Sequence, residues 1–164
     1  ARQTEEALRC LGEYLGFSSS RPDKEFGTGP DVLWVIDNEI ALCMDAKTNK
    51  EAESEYRKDE LGQLSDHVEW VRDNYPCQTI IPCLVGPERP ATNTANPRED
   101  VRVAALQKFF EVGEMIKTAF RNIEMTALPI TVPEVTAAEF GKRGLLWPAL
   151  LDNLNLVTLR DLKN

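Results

Sequence analysis

The sequence predicts an α/β fold, and three observations predict it. Two β-forming segments, residues 32–36 and 40–46, flank the turn pair Asp37–Asn38. Apolar residues recur at helical spacing before and after them. A further apolar run, residues 78–85, has the length of a buried strand.

The first helix is expected over residues 4–14, stopped by Gly16. Leu8, Leu11 and Leu15 form its apolar stripe, and Glu5, three residues before Leu8, extends that stripe by one turn. Glu5 is therefore the inward-facing acid, whereas Glu6 falls about 100° around the helix. The alternative for Glu5 is the ordinary first-turn acid that complements the helix dipole.

Gly27, Gly29 and Pro30 precede the first strand, and Asp31 opens it. In the next strand Ile40, Leu42 and Met44 alternate with Ala41, Cys43 and Asp45. A hairpin lays the start of one strand beside the end of the other, which brings Asp31 and Asp45 to the same end. Asp45 and Lys47, two residues apart, share a face; the Ala46 carbonyl supplies a further oxygen. Two carboxylates beside an ammonium group make a metal site suited to phosphodiester attack. With 28% charged residues, an Asp-x-Lys triplet alone is weak evidence, and strand-end surface charge is the competing reading.

The second helix is expected over residues 54–74, ending before Pro76. Leu61, Leu64, Val68, Val71 and Tyr75 form its core stripe, with Gln63, His67 and Trp70 beside it. His67, the sole histidine, reads as a partly buried hydrogen-bonded group and cannot join a multi-histidine zinc site. Trp70 reads as core packing. Pro82 within residues 78–85 implies an edge position or a bulge. Residues 87–97 are a loop, 101–104 a short strand and 105–122 an amphipathic helix. Pro129 and Pro133 break the chain. Residues 135–142 form a helix, Trp147–Pro148 lies on an apolar surface, and residues 154–162 form a terminal strand or short helix.

Composition narrows the classes. The 164 residues suit one globular domain. No apolar run approaches the roughly 18 residues of a membrane span, and no signal peptide stands at the start. Cys10, Cys43, Cys77 and Cys83 lack C-x-x-C spacing and read as reduced cytoplasmic thiols. No P-loop, dinucleotide-binding fingerprint or Ser-His-Asp arrangement occurs. The net charge of −8 is unusual for a nucleic-acid-binding domain. Either a local basic face exists, formed by Lys47, Lys50, Arg57 and Lys58, or affinity resides in another domain or subunit; the second is preferred. The start at Ala1 suggests a domain excised from a larger protein.

Pro30-Asp31 and Asp45-Ala46-Lys47 resemble the signature of the PD-(D/E)xK nuclease superfamily, the restriction-endonuclease-like fold. Gln63-Leu64-Ser65-Asp66-His67 resembles the Gln-x-x-x-Tyr motif of its RecB-like and Mrr-like branches, with His in place of Tyr. The resemblance covers roughly residues 5–123. It implies a mixed central sheet flanked by helices, a nuclease core over 1–123 and a packed C-terminal extension over 124–164. It implies Mg²⁺, with Mn²⁺ as substitute, on Asp31, Asp45, the Ala46 carbonyl and Glu5. Lys47 would orient or deprotonate the attacking water, and Gln63 would face the pocket. The implied function is a cytoplasmic, metal-dependent DNA endonuclease within a restriction or phage-defence protein. Implied partners are DNA, further domains or a helicase or ATPase subunit, and a second copy of the chain. A non-catalytic nucleic-acid or protein interaction module is the alternative.

Overall fold

The computed structural model describes residues 2–126 and 133–162. The chain divides into two compact units, one of Ala1–Leu106 with Leu156–Asn164, the other Gln107–Asn155.

The first unit is a six-stranded mixed sheet with helices, in strand order β1-β2-β3-β4-β5-β6. Its elements are α1 (Arg2–Tyr14), β1 (Ser18–Ser20), α2 (Pro22–Phe26), β2 (Val32–Val35), β3 (Ile40–Ala46), α3 (Lys58–Asn74), β4 (Thr79–Val85), β5 (Arg102–Ala104) and β6 (Val157–Thr158). Strands β1, β2 and β3 are antiparallel; β3, β4 and β5 are parallel; β6 returns antiparallel on β5. The α/β class is as expected.

The β2–β3 hairpin follows from its turn. Asp37 Oδ1 accepts the backbone N–H groups of Glu39 and Ile40, both at 2.8 Å, so the side chain closes the turn itself. The resulting register sets Val32 opposite Met44, which brings Asp31 beside Asp45.

The alternation of β3 sends Ala41, Cys43 and Asp45 to one face. Ala41 and Cys43 join Leu33 and the stripe Leu61, Leu64, Val68 and Val71 of α3 in one core. Trp34, on the opposite face of β2, donates its indole N–H to the Leu8 carbonyl of α1 at 3.0 Å. That approach is so close that a Cβ on Gly12 would lie 2.4 Å from Trp34 Nε1.

Two expectations need correction. Helix α3 starts at Lys58, not at residue 54, because Tyr56 is drawn into a parallel bridge with Ala91. The N–H of Tyr56 donates to Pro90 O, and its carbonyl accepts from the N–H of Thr92. Glu60 then caps the helix by accepting the Arg57 N–H at 2.7 Å. Second, β4 as a whole is interior, between β3 and β5, and the edge position expected at Pro82 is met only locally. Pro82 is tolerated because β5 pairs only with Cys83–Val85, so Pro82 has a partner strand on the β3 side alone.

The second unit contains α4 (Leu106–Met125) from Gln107 onward, α5 (Pro133–Lys142) and α6 (Leu150–Leu154). Phe120 and Phe140 meet edge-on at 5.8 Å between ring centroids. The break expected at Pro129 lies outside the described residues. After α6 the chain forms β6 and a 3-10 turn, Leu159–Asp161, dividing residues 154–162 between three short elements. Among the described residues no helix is long and apolar enough to cross a membrane.

Candidate active site

Asp45 is fully buried, at the end of a strand whose preceding residues are core. A charge there is costly unless it is partnered. Its Oδ1 is 2.6 Å from Nδ1 of His67 on α3. Its Oδ2 is buried with no hydrogen-bond partner, and the Lys47 ammonium stands 3.6 Å from it. Lys47 Nζ donates to Gln63 Oε1 at 2.8 Å.

One geometric coincidence explains this arrangement. Asp45 and Lys47 are two residues apart on a strand, about 6.6 Å. Gln63 and His67 are four apart on a helix, about 6.0 Å. Helix α3 runs opposite to β3, so the two steps match and each helix side chain finds one strand side chain.

Asp31 Oδ2 accepts the Ala46 N–H at 2.7 Å. Burial pushes this carboxyl up first; the Ala46 N–H opposes the shift, while the charges of Asp45 and Glu5 add to it. The outcome is a rise from 3.8 to about 6. Burial alone lowers His67, but the hydrogen bond and charge of Asp45, with Asp31 behind it, prevail and raise its pKa above 6.5.

Glu5 is buried on α1, as its place in the stripe required. It forms an ion pair with buried Arg21, whose other nitrogen lies 3.6 Å from Glu6 Oε2. Glu5 contributes charge to Asp31, yet its carboxylate is committed to a guanidinium. Among the described residues, no group of three or more His, Cys, Asp and Glu side chains is arranged to hold a metal ion. Glu5, expected as a metal ligand, is engaged by Arg21 in this structure.

Of the four residues offered for a local basic face, Lys50 and Arg57 are paired with acids, and Lys58 is exposed. Lys50 binds both oxygens of Glu60, at 2.9 and 3.0 Å, and Arg57 pairs with Asp59 at 3.1 Å. Lys50 thereby fastens the segment after β3 to the first turn of α3.

Asp31, Asp45, Lys47 and Gln63 are thus brought together. Sequence reasoning missed His67 as the partner of Asp45, although its i+4 spacing from Gln63 was the available signal. It missed Arg21 entirely, since a single arginine before Pro22 carries no pattern. Cys10, Cys43, Cys77 and Cys83 are free thiols. No protein-family model, curated protein or solved structure matches this chain.

Proposed function

We propose that this chain is a metal-dependent nuclease domain that hydrolyses phosphodiester bonds in DNA, with a restriction-endonuclease-like core. The observation carrying the proposal is the buried, unpartnered Oδ2 of Asp45, set beside Asp31 and 3.6 Å from the Lys47 ammonium. A buried carboxylate oxygen without a hydrogen bond favours cations beside it; Lys47 supplies one, and a divalent ion would supply a second.

The donor set suits a hard divalent cation. Asp31, Asp45 and the Ala46 carbonyl offer only oxygen, the preference of Mg²⁺ and Mn²⁺. Mg²⁺ characteristically keeps several waters and takes one or two carboxylates with substrate phosphate, so two acids suffice. When bound, the cation supplies charge stabilisation at the phosphate and a more acidic water.

The remaining work belongs to the chain. His67 takes Oδ1 of Asp45 and thereby turns Oδ2 toward Lys47. Gln63 holds Lys47 Nζ by its Oε1, fixing an ammonium where it orients the attacking water and meets charge developing on the phosphoryl oxygens. Arg21 pairs with Glu5 and so offsets part of the acidic charge that Glu5 adds beside Asp31.

The wider setting, a cytoplasmic restriction or phage-defence protein with helicase or ATPase partners, remains part of the proposal and rests on the family resemblance. A second reading, a non-catalytic interaction module, draws support from the Glu5–Arg21 pair, which removes one expected ligand.

The test is incubation of supercoiled plasmid with native protein and Lys47→Ala, each with Mg²⁺ or Mn²⁺. Nicking by the native protein alone is the expected result. Equal cutting by both removes Lys47 from the chemistry. If neither cuts and calorimetry detects no Mn²⁺ binding, the non-catalytic reading replaces the nuclease.

A further inference from the structure

One exposed aromatic surface adjoins this site. Phe26, the last residue of α2, is 62% exposed. Its ring lies 5.9 Å from that of Trp70, tilted by 35°, and Trp70 in turn lies 6.1 Å from Tyr75. Trp70 and Tyr75 pack partly against the core, which leaves Phe26 as the outer ring of a supported stack.

The stack is fixed to the site from two sides. Trp70 follows His67 by three residues on α3, a rise of about 4.5 Å. It also presses on Gly29, where an added Cβ would fall 2.8 Å from Trp70 Cε3. Gly29 precedes Asp31 by two residues, no more than about 7 Å of chain. Trp70 thus lies one helical turn from His67 and against the glycine two residues before Asp31.

Charge decides what this surface takes. A duplex binder draws affinity from basic groups on phosphate. Here the net charge is −8, and Lys50, Arg57 and Arg72 are all paired with acids. Single-strand binders also use cations along the backbone, but stacking on an aromatic face adds affinity that a duplex cannot gain, because the base must be unpaired.

We infer that Phe26, backed by Trp70, is a stacking platform for an unpaired nucleobase, which makes single-stranded nucleic acid the substrate class. The inference rests on the nuclease reading of the neighbouring carboxylates. It also assigns to Trp70 a role beyond the core packing expected from sequence.

The experiment uses fluorescein-labelled oligothymidylate, and the same strand annealed to its complement, with native protein and Phe26→Ser in EDTA. Fluorescence anisotropy reads binding, and circular dichroism confirms that the variant is folded. Expected are tighter binding to the single strand than to the duplex and a loss of about 5- to 100-fold in Phe26→Ser. Equal affinity of native protein and variant, equal or tighter duplex binding, or no single-strand binding overturns the inference. Cleavage in Mg²⁺ is read separately. Cutting that ignores both Phe26→Ser and strandedness discards the platform and keeps the hydrolase. Platform binding without cutting does the reverse.

Discussion

His67 Nδ1 lies 2.6 Å from Asp45 Oδ1, and the other oxygen of the same carboxylate has no hydrogen-bond partner. One oxygen of Asp45 is thereby hydrogen-bonded, and the other faces the Lys47 ammonium at 3.6 Å. The ion pair belongs to protonated His67, so its strength depends on pH and on whatever else binds Asp45.

The folded-state pKa of His67 is raised. The stability it contributes is therefore fully present below about 6.5, the unfolded value, and is lost as pH rises through the higher folded value. As the sole histidine it gives one imidazole titration by NMR. The native midpoint is expected above 6.5, and Asp45→Asn lowers it. Saturating Mg²⁺ also lowers it if the cation shares Asp45; an unchanged midpoint in Mg²⁺ argues against ligation by this carboxylate.

Asp31 is also raised, so stability again falls as pH rises, but here a cost appears rather than a gain being lost. Its raised pKa imposes no stability cost below 3.8; the cost grows between 3.8 and about 6 and is complete above that. Asp31→Asn retains an acceptor for the Ala46 N–H and removes the charge. With partial solvent screening allowed for, it is expected to stabilise the cation-free protein at pH 7 by about 1–2 kcal/mol. Urea unfolding at pH 7 and pH 4 checks this, with the gain vanishing at the lower pH. Cleavage is lost in the same variant.

Gln63 is exposed, so Gln63→Ala should change stability by less than about 0.5 kcal/mol. It nevertheless frees Lys47 Nζ from its hydrogen bond to Gln63 Oε1. A fall of about 10- to 100-fold in cleavage rate at full fold retention is expected, the usual scale for groups that orient a catalytic side chain. An unaltered rate would mean that Lys47 is positioned by Asp45 alone.

Gly12→Ala sets two magnitudes against each other. Helix propensity favours alanine by about 1 kcal/mol. Against this, the new methyl meets Trp34 Nε1 at 2.4 Å and Ser19 Oγ at 2.8 Å. Overpacking costs about 1–3 kcal/mol, and strain on the Trp34–Leu8 hydrogen bond adds about 1. Net destabilisation of about 1–3 kcal/mol is expected in urea unfolding; a stabilised variant would show that α1 can move off the sheet.

The hairpin and the long helices were legible because their signals are local. Asp37 closes its own turn, and apolar residues of α3 recur at helical spacing. Asp31, Asp45 and Lys47 could be grouped from that hairpin alone. Less was visible where structure depends on distant partners. Strand β1 is three serines with little strand preference, held by pairing to β2. Helix α2 has only five residues, though Pro22 at its start is a weak sign. The pairing of His67 with Asp45 requires the direction of α3 against β3, and that of Arg21 with Glu5 requires the placement of α1; neither is a property of a short window.

The contacts between β3 and α3 are nested in the chain. Lys50–Glu60 spans 10 residues, Lys47–Gln63 spans 16 and Asp45–His67 spans 22. Each pair encloses the one before it, as rungs do in a zipper. Once the innermost closes, widening the loop from 10 to 22 residues adds only about 0.7 kcal/mol of closure entropy. The residues proposed for chemistry are therefore assembled by short-range closure, and the lysine strand and glutamine helix form a local folding cassette before any contact with the distant β5 and β6 is needed.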